Sequence, residues 1–464
     1  MQGVVVRALL TVMVVTMALA MPAYARDWWG AGEGRVFPAV ADFPNEHGTL
    51  RVLLQDGPLD TRGHPFFEPL GPHGRACVTC HQPADAMSLS LASIRQQWQT
   101  AGARDPLFAP IDGANCPDLP HGERDSHSLL LDHGLFRIAR PWPPRDHAGK
   151  AIKPDFDVDV IHDPTGCNLS PRWGLPSDDP HVSVYRRPRP VANLKYVLAM
   201  GFAIDGKRGL PLPLDPDTGK PVSGNLMADS RVLTLKAQMH DAARSHLGFF
   251  ERLTPAQIER INDFEMRVFT AQQQNRLGDS LDAGGAEGGP AKLADSEPGR
   301  LGSQGIGVWS EFAPWERADD SSVTPERRAL RESIARGARS FRERTFLIAD
   351  SRGVNSPMGF GNPMRDRCAL CHNMSQMGMD VAPGQVDLGT TTQPFADQQP
   401  HLPLFRITCK GEPHPHYGRV IHTHDPGYAL TTGRCADVGR ITLQSLRGLA
   451  ARAPYFVNGT ASTL

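Results

Sequence analysis

Four stretches of the chain place apolar residues at helical spacing. In Ser88 to Trp98, Leu89, Leu91, Ile94 and Trp98 fall near the 3.6-residue period, which predicts a helix with one apolar face. Leu233 to Leu247 and Thr254 to Phe269 read as two consecutive helices. The second has the clearest start: Thr254 caps, Pro255 takes the first turn, Gln257 completes a capping box, and Ile258, Ile261, Phe264 and Val268 form one stripe. A fourth helix is expected from Thr324 and Pro325, with Leu330, Ile334 and Phe341 on one side. Stripes of this kind predict core packing rather than chemistry.

Between these helices the periodicity breaks. Residues 26–81 are punctuated by turn signals such as Asp56-Gly57-Pro58 and Gly71-Pro72-His73-Gly74, and from Asp105 to Pro221 clusters of Pro, Gly and Asp dominate. Ordered loops of that length are usually functional. Gly278 to Gly307 is rich in Gly, Ala, Ser and Asp and reads as a linker. At the start, Arg7 precedes the apolar run Ala8 to Ala20, and Ala23-Tyr24-Ala25 forms a small-residue cleavage site, so residues 1–25 read as a secretory signal peptide. The competing reading, a membrane anchor, suits so short a run less well.

The chemistry enters with Cys77-Val78-Thr79-Cys80-His81, which recurs as Cys368-Ala369-Leu370-Cys371-His372. On a helical turn, positions i, i+3 and i+4 share a face, so two thiols can reach the two vinyl groups of a haem while the imidazole meets the iron. With 8 Cys and 18 His in 464 residues, chance supplies roughly 0.005 such pentapeptides per chain. A zinc knuckle or a redox dithiol also uses a Cys-x-x-Cys spacing, but neither explains a His directly after both pairs. The expectation is two covalently bound haem c groups, with His81 and His372 as iron ligands.

The fold expected from this is mainly α: two cytochrome c-like haem domains with long irregular loops, at residues 26–275 and 324–464, joined by a Gly-rich linker at 276–323. A formal net charge of -1 argues against a nucleic-acid partner recruited by charge. Beyond the N-terminus no segment is apolar enough to span a bilayer, so no stable membrane anchor is expected. Haem c is attached after export, which places the chain in a bacterial periplasm. The four remaining cysteines form an even set in an oxidising space, and the favoured pairing is Cys116 with Cys167 and Cys409 with Cys435. Free buried thiols are the alternative.

The sixth ligand of each iron stays open. His121, His127, His133, His147, His162 and His181 lie in the long irregular stretch, and each singly is more readily a hydrogen-bonding loop residue than an axial ligand. After His372 come Met374, Met377 and Met379, then no Met through Leu464. A Met ligand to the second iron would come from that cluster, from Met358 or Met364, or from the first domain; the downstream alternatives are His401, His414, His416, Tyr417, His422, His424 and Tyr428. Arg186-Arg187-Pro188-Arg189 is a basic run that reads equally as a partner for haem propionates or as a solvated patch.

Over both haem sites and their flanking helices, about half of the chain, the sequence resembles the bacterial di-haem cytochrome c peroxidases and their MauG-type relatives. Leu446-Arg447-Gly448 with Ala453-Pro454-Tyr455-Phe456 is similar to that family's Leu-Arg-Asn or Leu-Arg-Gly and Ala-Pro-Tyr-Phe stretch, and Asp229-Ser230-Arg231 with Leu235 and Gln238 to its Asp-Gly-Arg, Leu-Glu-x-Gln segment. The resemblance implies a periplasmic oxidoreductase that reduces hydrogen peroxide. Its electrons would come from a donor protein such as a small cytochrome c or cupredoxin, with the His372 haem as the entry point and the His81 haem as the reacting one. It also implies a calcium ion between domains, with no ligands assigned here. Three positions depart from the pattern: Ala228 replaces a Trp, Gly248 a distal Glu, and Val457 a His. His246, beside the missing Glu, becomes the candidate acid/base, with Gln238 and Arg231 in the same pocket by resemblance. The chain stops at Leu464 where the family usually continues, so the second domain is expected to be truncated. The alternatives to a peroxidase are a MauG-like oxidase of a protein or organic substrate, and a non-catalytic electron-transfer cytochrome.

Overall fold

Each of the four expected helices begins at a Ser or Thr whose side chain accepts the backbone N–H three residues on. Ser90 starts Leu91–Ala101, Thr234 starts Leu235–Leu247, Thr254 starts Pro255–Arg267 and Thr324 starts Pro325–Glu343. Thr254 and Gln257 close a capping box, with Pro255 in the first turn. Gly248, left-handed at φ 68°, ends the second of these helices. In the computed structural model the described residues are 27–199, 213–298, 311–317, 323–355, 361–372 and 385–464. The expected signal peptide and the methionines 358, 374, 377 and 379 lie outside them.

The expected mainly α fold is not what forms. The described residues are only 29% helical with 21% strand, in several small sheets. Gly48–Leu54 is the middle strand of one, flanked antiparallel by Val40–Asn45 and Val268–Asn275. Its alternation buries Leu50, Val52 and Leu54, as a sheet with one covered face requires. Val268, read above as the last residue of a helical stripe, instead opens a strand that follows Arg267 without a break. Leu404–Cys409 pairs with Val420–Thr423 and with Phe156–His162, so this sheet draws strands from either side of the expected linker. Phe136–Pro141 pairs with His181–Arg186 inside the stretch where periodicity was absent. These strands are short and bounded by Pro, Gly and Asp, which hides period-2 patterning.

The cysteines pair as favoured, Cys116 with Cys167 and Cys409 with Cys435. The loops they close, with sequence separations of 51 and 26, correspond to about 3.5 to 4 kcal/mol each in the chain-entropy account. The described parts of 276–323 are packed rather than open. Leu281, Ala286, Phe312 and Trp315 form a buried cluster with Ala335, and Asp279 holds Arg331 through two bonds of 2.7 Å.

The main core lies under the first Cys-x-x-Cys-His. Trp29, Phe37, Phe66, Phe67 and Phe264 pack with ring centroids 4.7 to 6.1 Å apart, and Val78 is fully buried among them. The C-terminal segment closes over the same region. Gly448 has φ +70°, and a Cβ there would lie 2.4 Å from the Cβ of Ala86, so only glycine lets the chain pass the loop that follows His81. Gly448→Ala should therefore destabilise the protein by about 1–3 kcal/mol, read as a lower urea midpoint at unchanged slope; an unaltered midpoint would show that the contact relaxes freely.

Candidate functional site

Each pentapeptide folds as a single helical turn, 3-10 over Cys77–Thr79 and α over Cys368–Cys371. The N–H of His81 donates to the carbonyl of Cys77 at 3.1 Å, and that of His372 to the carbonyl of Cys368 at 3.0 Å. The turn sets each His on the face of its two cysteines. None of the four cysteines is in a disulfide.

Cys77, Cys80 and His81 line a cavity of about 1530 Å³, counting its open mouth. The Leu235–Leu247 helix presents one face to it: Leu235, Gln238, Met239, Ala242, Ala243 and His246 recur at three- and four-residue steps. Arg231 and Ala228 also line it. The structure thus brings His246, Gln238 and Arg231 into one space with the first motif. A second cavity, about 1260 Å³ with its mouth, is lined by His372, Val386, Leu443 and Tyr455. Cys371 packs against the Val354, Met364, Val386 and Leu443 cluster on its edge, and the Phe341 ring lies 6.0 Å from that of His372.

The loop after His81 explains how that imidazole is held. Ala86 and Met87 both adopt left-handed backbone, φ 58° and 57°, an arrangement that costs of order 1–3 kcal/mol per residue. It turns the Met87 carbonyl back onto His81 Nδ1 at 3.1 Å. That bond fixes the tautomer with Nδ1–H donating and Nε2 carrying the lone pair, as metal-ligating histidines require. Burial, with His246 nearby, pushes the ring down to about 4, so it is neutral at ordinary pH. Burial raises both thiols, Cys80 to about 12 against the pull of Arg75, and Cys77 further beside Glu265. Reactive dithiols and zinc thiolates need the opposite shift. Among the described residues no three His, Cys, Asp or Glu side chains converge on a metal position.

On the Leu235–Leu247 helix, His246 is anchored by a residue the motifs gave no sign of. Its Nδ1 lies 2.6 Å from Asp112 Oδ2, and the other oxygen of Asp112 takes a short bond from Arg75 Nη1. Burial alone would raise Asp112; Arg75 first, then His246, hold it below the ordinary carboxylate value. Arg75 is fully buried and also donates to the carbonyls of Pro106, Leu107 and His246. Arg231 is held by Asp229 and Asp241, each at 2.9 Å.

The loop histidines are placed elsewhere. His127 has both ring nitrogens on carbonyls, of Gly113 and His121, and His424 likewise on those of Pro403 and Ala396. His133 stacks on His401 at 3.6 Å. Among the described residues only His81, His246 and His372 line the two cavities. The comparisons with known protein families, curated proteins and solved structures find no match.

Glu265 is the other unforeseen group. It lines the first cavity, is 3% exposed, and its Oε2 has no hydrogen-bond partner among the described residues. Its signal was legible, since it stands four residues after Ile261 on the apolar stripe of the Pro255–Arg267 helix. Burial pushes it up to about 8. A carboxyl raised on folding stabilises the protein below its unfolded value, and that contribution is lost as pH rises through the folded value. Infrared spectra of the wild type should therefore show a protonated carboxyl band that disappears near pH 8 and is missing in Glu265→Gln. A band already absent at pH 6 would contradict a buried neutral acid.

Proposed function

We propose that this chain is a periplasmic di-haem c-type cytochrome of the peroxidase kind, reducing hydrogen peroxide at its first site with electrons received from a donor protein at its second. The observation that carries the reading is His81: tautomer fixed by the Met87 carbonyl, neutral, with Nε2 left for iron, beside two protonated thiols in a lined cavity. These residues fit a covalently attached haem, with Cys77 and Cys80 holding the macrocycle and His81 the iron; Cys368, Cys371 and His372 would do the same at the second cavity. When bound, the two haems supply iron centres that accept electrons one at a time and deliver two to peroxide.

The chain's own part is binding, orientation and protons. Peroxide, two electrons and two protons give two waters, so the site must hold a proton beside the O–O bond and hand it to the leaving oxygen. His246 is the group placed for it. Asp112 occupies its Nδ1 and leaves Nε2 as the nitrogen that takes and returns the proton, the same ordering of a histidine by a carboxylate that fixes imidazole bases elsewhere. Arg75 keeps Asp112 ionised, so the pair does not collapse to two neutral groups. Leu235, Met239, Ala243 and Leu247 give the same space an apolar wall.

His246→Ala should slow peroxide turnover by about 10² to 10⁴, measured with a reduced small cytochrome c as donor. Asp112→Asn, which keeps an acceptor for His246 Nδ1 but removes the charge, should slow it less. Unchanged turnover in both variants would return the pair to a structural role.

A further inference from the structure

Three arginines between the two cavities lack the anions their burial calls for. Arg186 does not share this condition: it takes Asp425 through two bonds and Asp229 through a third. Its neighbours Arg187 and Arg189, with Arg452 from the C-terminal segment, make no ion pair with any carboxylate among the described residues. Among the described residues Arg187 reaches only the carbonyls of Gly134, Leu89, Arg452 and Ala453. Arg189 reaches the carbonyl of Thr442, and Arg452 the carbonyl of Ser445 and the amide oxygen of Gln444. The Nε atoms of Arg189 and Arg452 are buried and have no hydrogen-bond partner among the described residues.

Arg187 and Arg452 are each 6% exposed. Arg189 keeps more surface and lines the first cavity. Burial drags all three down, Arg187 and Arg189 to about 9 and Arg452 to about 10. The nearest acids are engaged: Asp85 accepts the Ser90 N–H, and Asp229 holds Arg186 and Arg231. Buried guanidiniums without counter-charge are costly, and a planar fork of donors matches carboxylates and phosphates.

Their positions say where the anions enter. Arg187 and Arg189 line the first cavity, and Arg187 and Arg452 line the second. Pro188 and Leu443, Gln444 and Ser445 are common to both walls. We propose that Arg187, Arg189 and Arg452 form one carboxylate-binding site shared by the two cavities, in which the propionates of both haems meet. Resting on the di-haem reading, this goes beyond it by assigning the partition between the sites. The Arg187 strap is then at once the wall that separates the macrocycles and the cationic anchor that orients both of them.

The test uses the matured full chain. Wild type and variants are assayed for haem content per chain, and each haem is titrated potentiometrically. A cation beside a haem favours its reduced state, so Arg189→Gln should lower the potential of the first haem and Arg452→Gln that of the second, with two haems still attached. Arg189→Lys, which keeps the charge, should restore most of the first shift. Two haems with both potentials unmoved in the Gln variants would overturn the proposal, as would equal shifts in Arg189→Gln and Arg189→Lys. Inorganic phosphate or succinate added to the wild type should produce no saturable change in either potential. A saturable change would mean that free anions occupy the site and that the propionates do not. A wild-type chain matured without haem would instead sink the di-haem reading itself.

Discussion

The buried carboxylate of Asp229 is the point on which the arrangement turns. Fully enclosed, it receives Arg186 at 2.8 Å and Arg231 at 2.9 Å, with Arg140 at 3.1 Å. Burial acts upward on it, and the guanidiniums, Arg186 foremost, outweigh that and hold it well below its ordinary value. Arg186 passes the connection on to Asp425, and Arg231 to Asp241 on the Leu235–Leu247 helix. One network therefore ties the His181–Arg186 strand, the helix that carries His246 and the loop after the Val420–Thr423 strand. Such networks are poor sources of net stability, but removing one member strands the rest and costs about 3–5 kcal/mol. Their use here is positional, because the strap between the cavities begins at Arg186.

Seen from that strap, the two motifs are parts of one structure. The first cavity has His81 and the His246–Asp112 pair; the second has His372 and Tyr455; Arg187, Pro188 and Leu443 to Ser445 belong to both. The C-terminal segment supplies half of the partition. Gly448 lets it cross the loop after His81, and the carbonyls of Arg452 and Ala453 receive Arg187. The Leu446-Arg447-Gly448 and Ala453-Pro454-Tyr455-Phe456 stretches thus bind the partition to the first site.

Local chemistry was readable in the chain and tertiary chemistry was not. Thr254, Pro255 and Gln257 announced a helix start because capping involves neighbours in sequence, and Cys-x-x-Cys-His announced a single turn for the same reason. The strand Val268–Asn275 was lost because it continues a helix without a break and its partner lies more than two hundred residues earlier. Asp112 sits in a turn with no pattern, 134 positions from the His246 it orients. Glu265 was visible as an acid on an apolar stripe, yet its meaning depended on the cavity behind it. The expected mainly α fold failed because the helices declare themselves by period, whereas two- to eight-residue strands among Pro and Gly do not.

The central claim is that both Cys-x-x-Cys-His turns carry a covalent macrocycle. The most direct measurement is the intact mass of the exported chain, produced in a host with haem-attachment machinery and compared with a Cys368→Ala, Cys371→Ala variant. The account predicts two haem additions on the native chain and one on the variant, with the remaining haem on the peptide that contains Cys77 and Cys80. A native chain with no addition, or with its motif cysteines joined as disulfides, would contradict it.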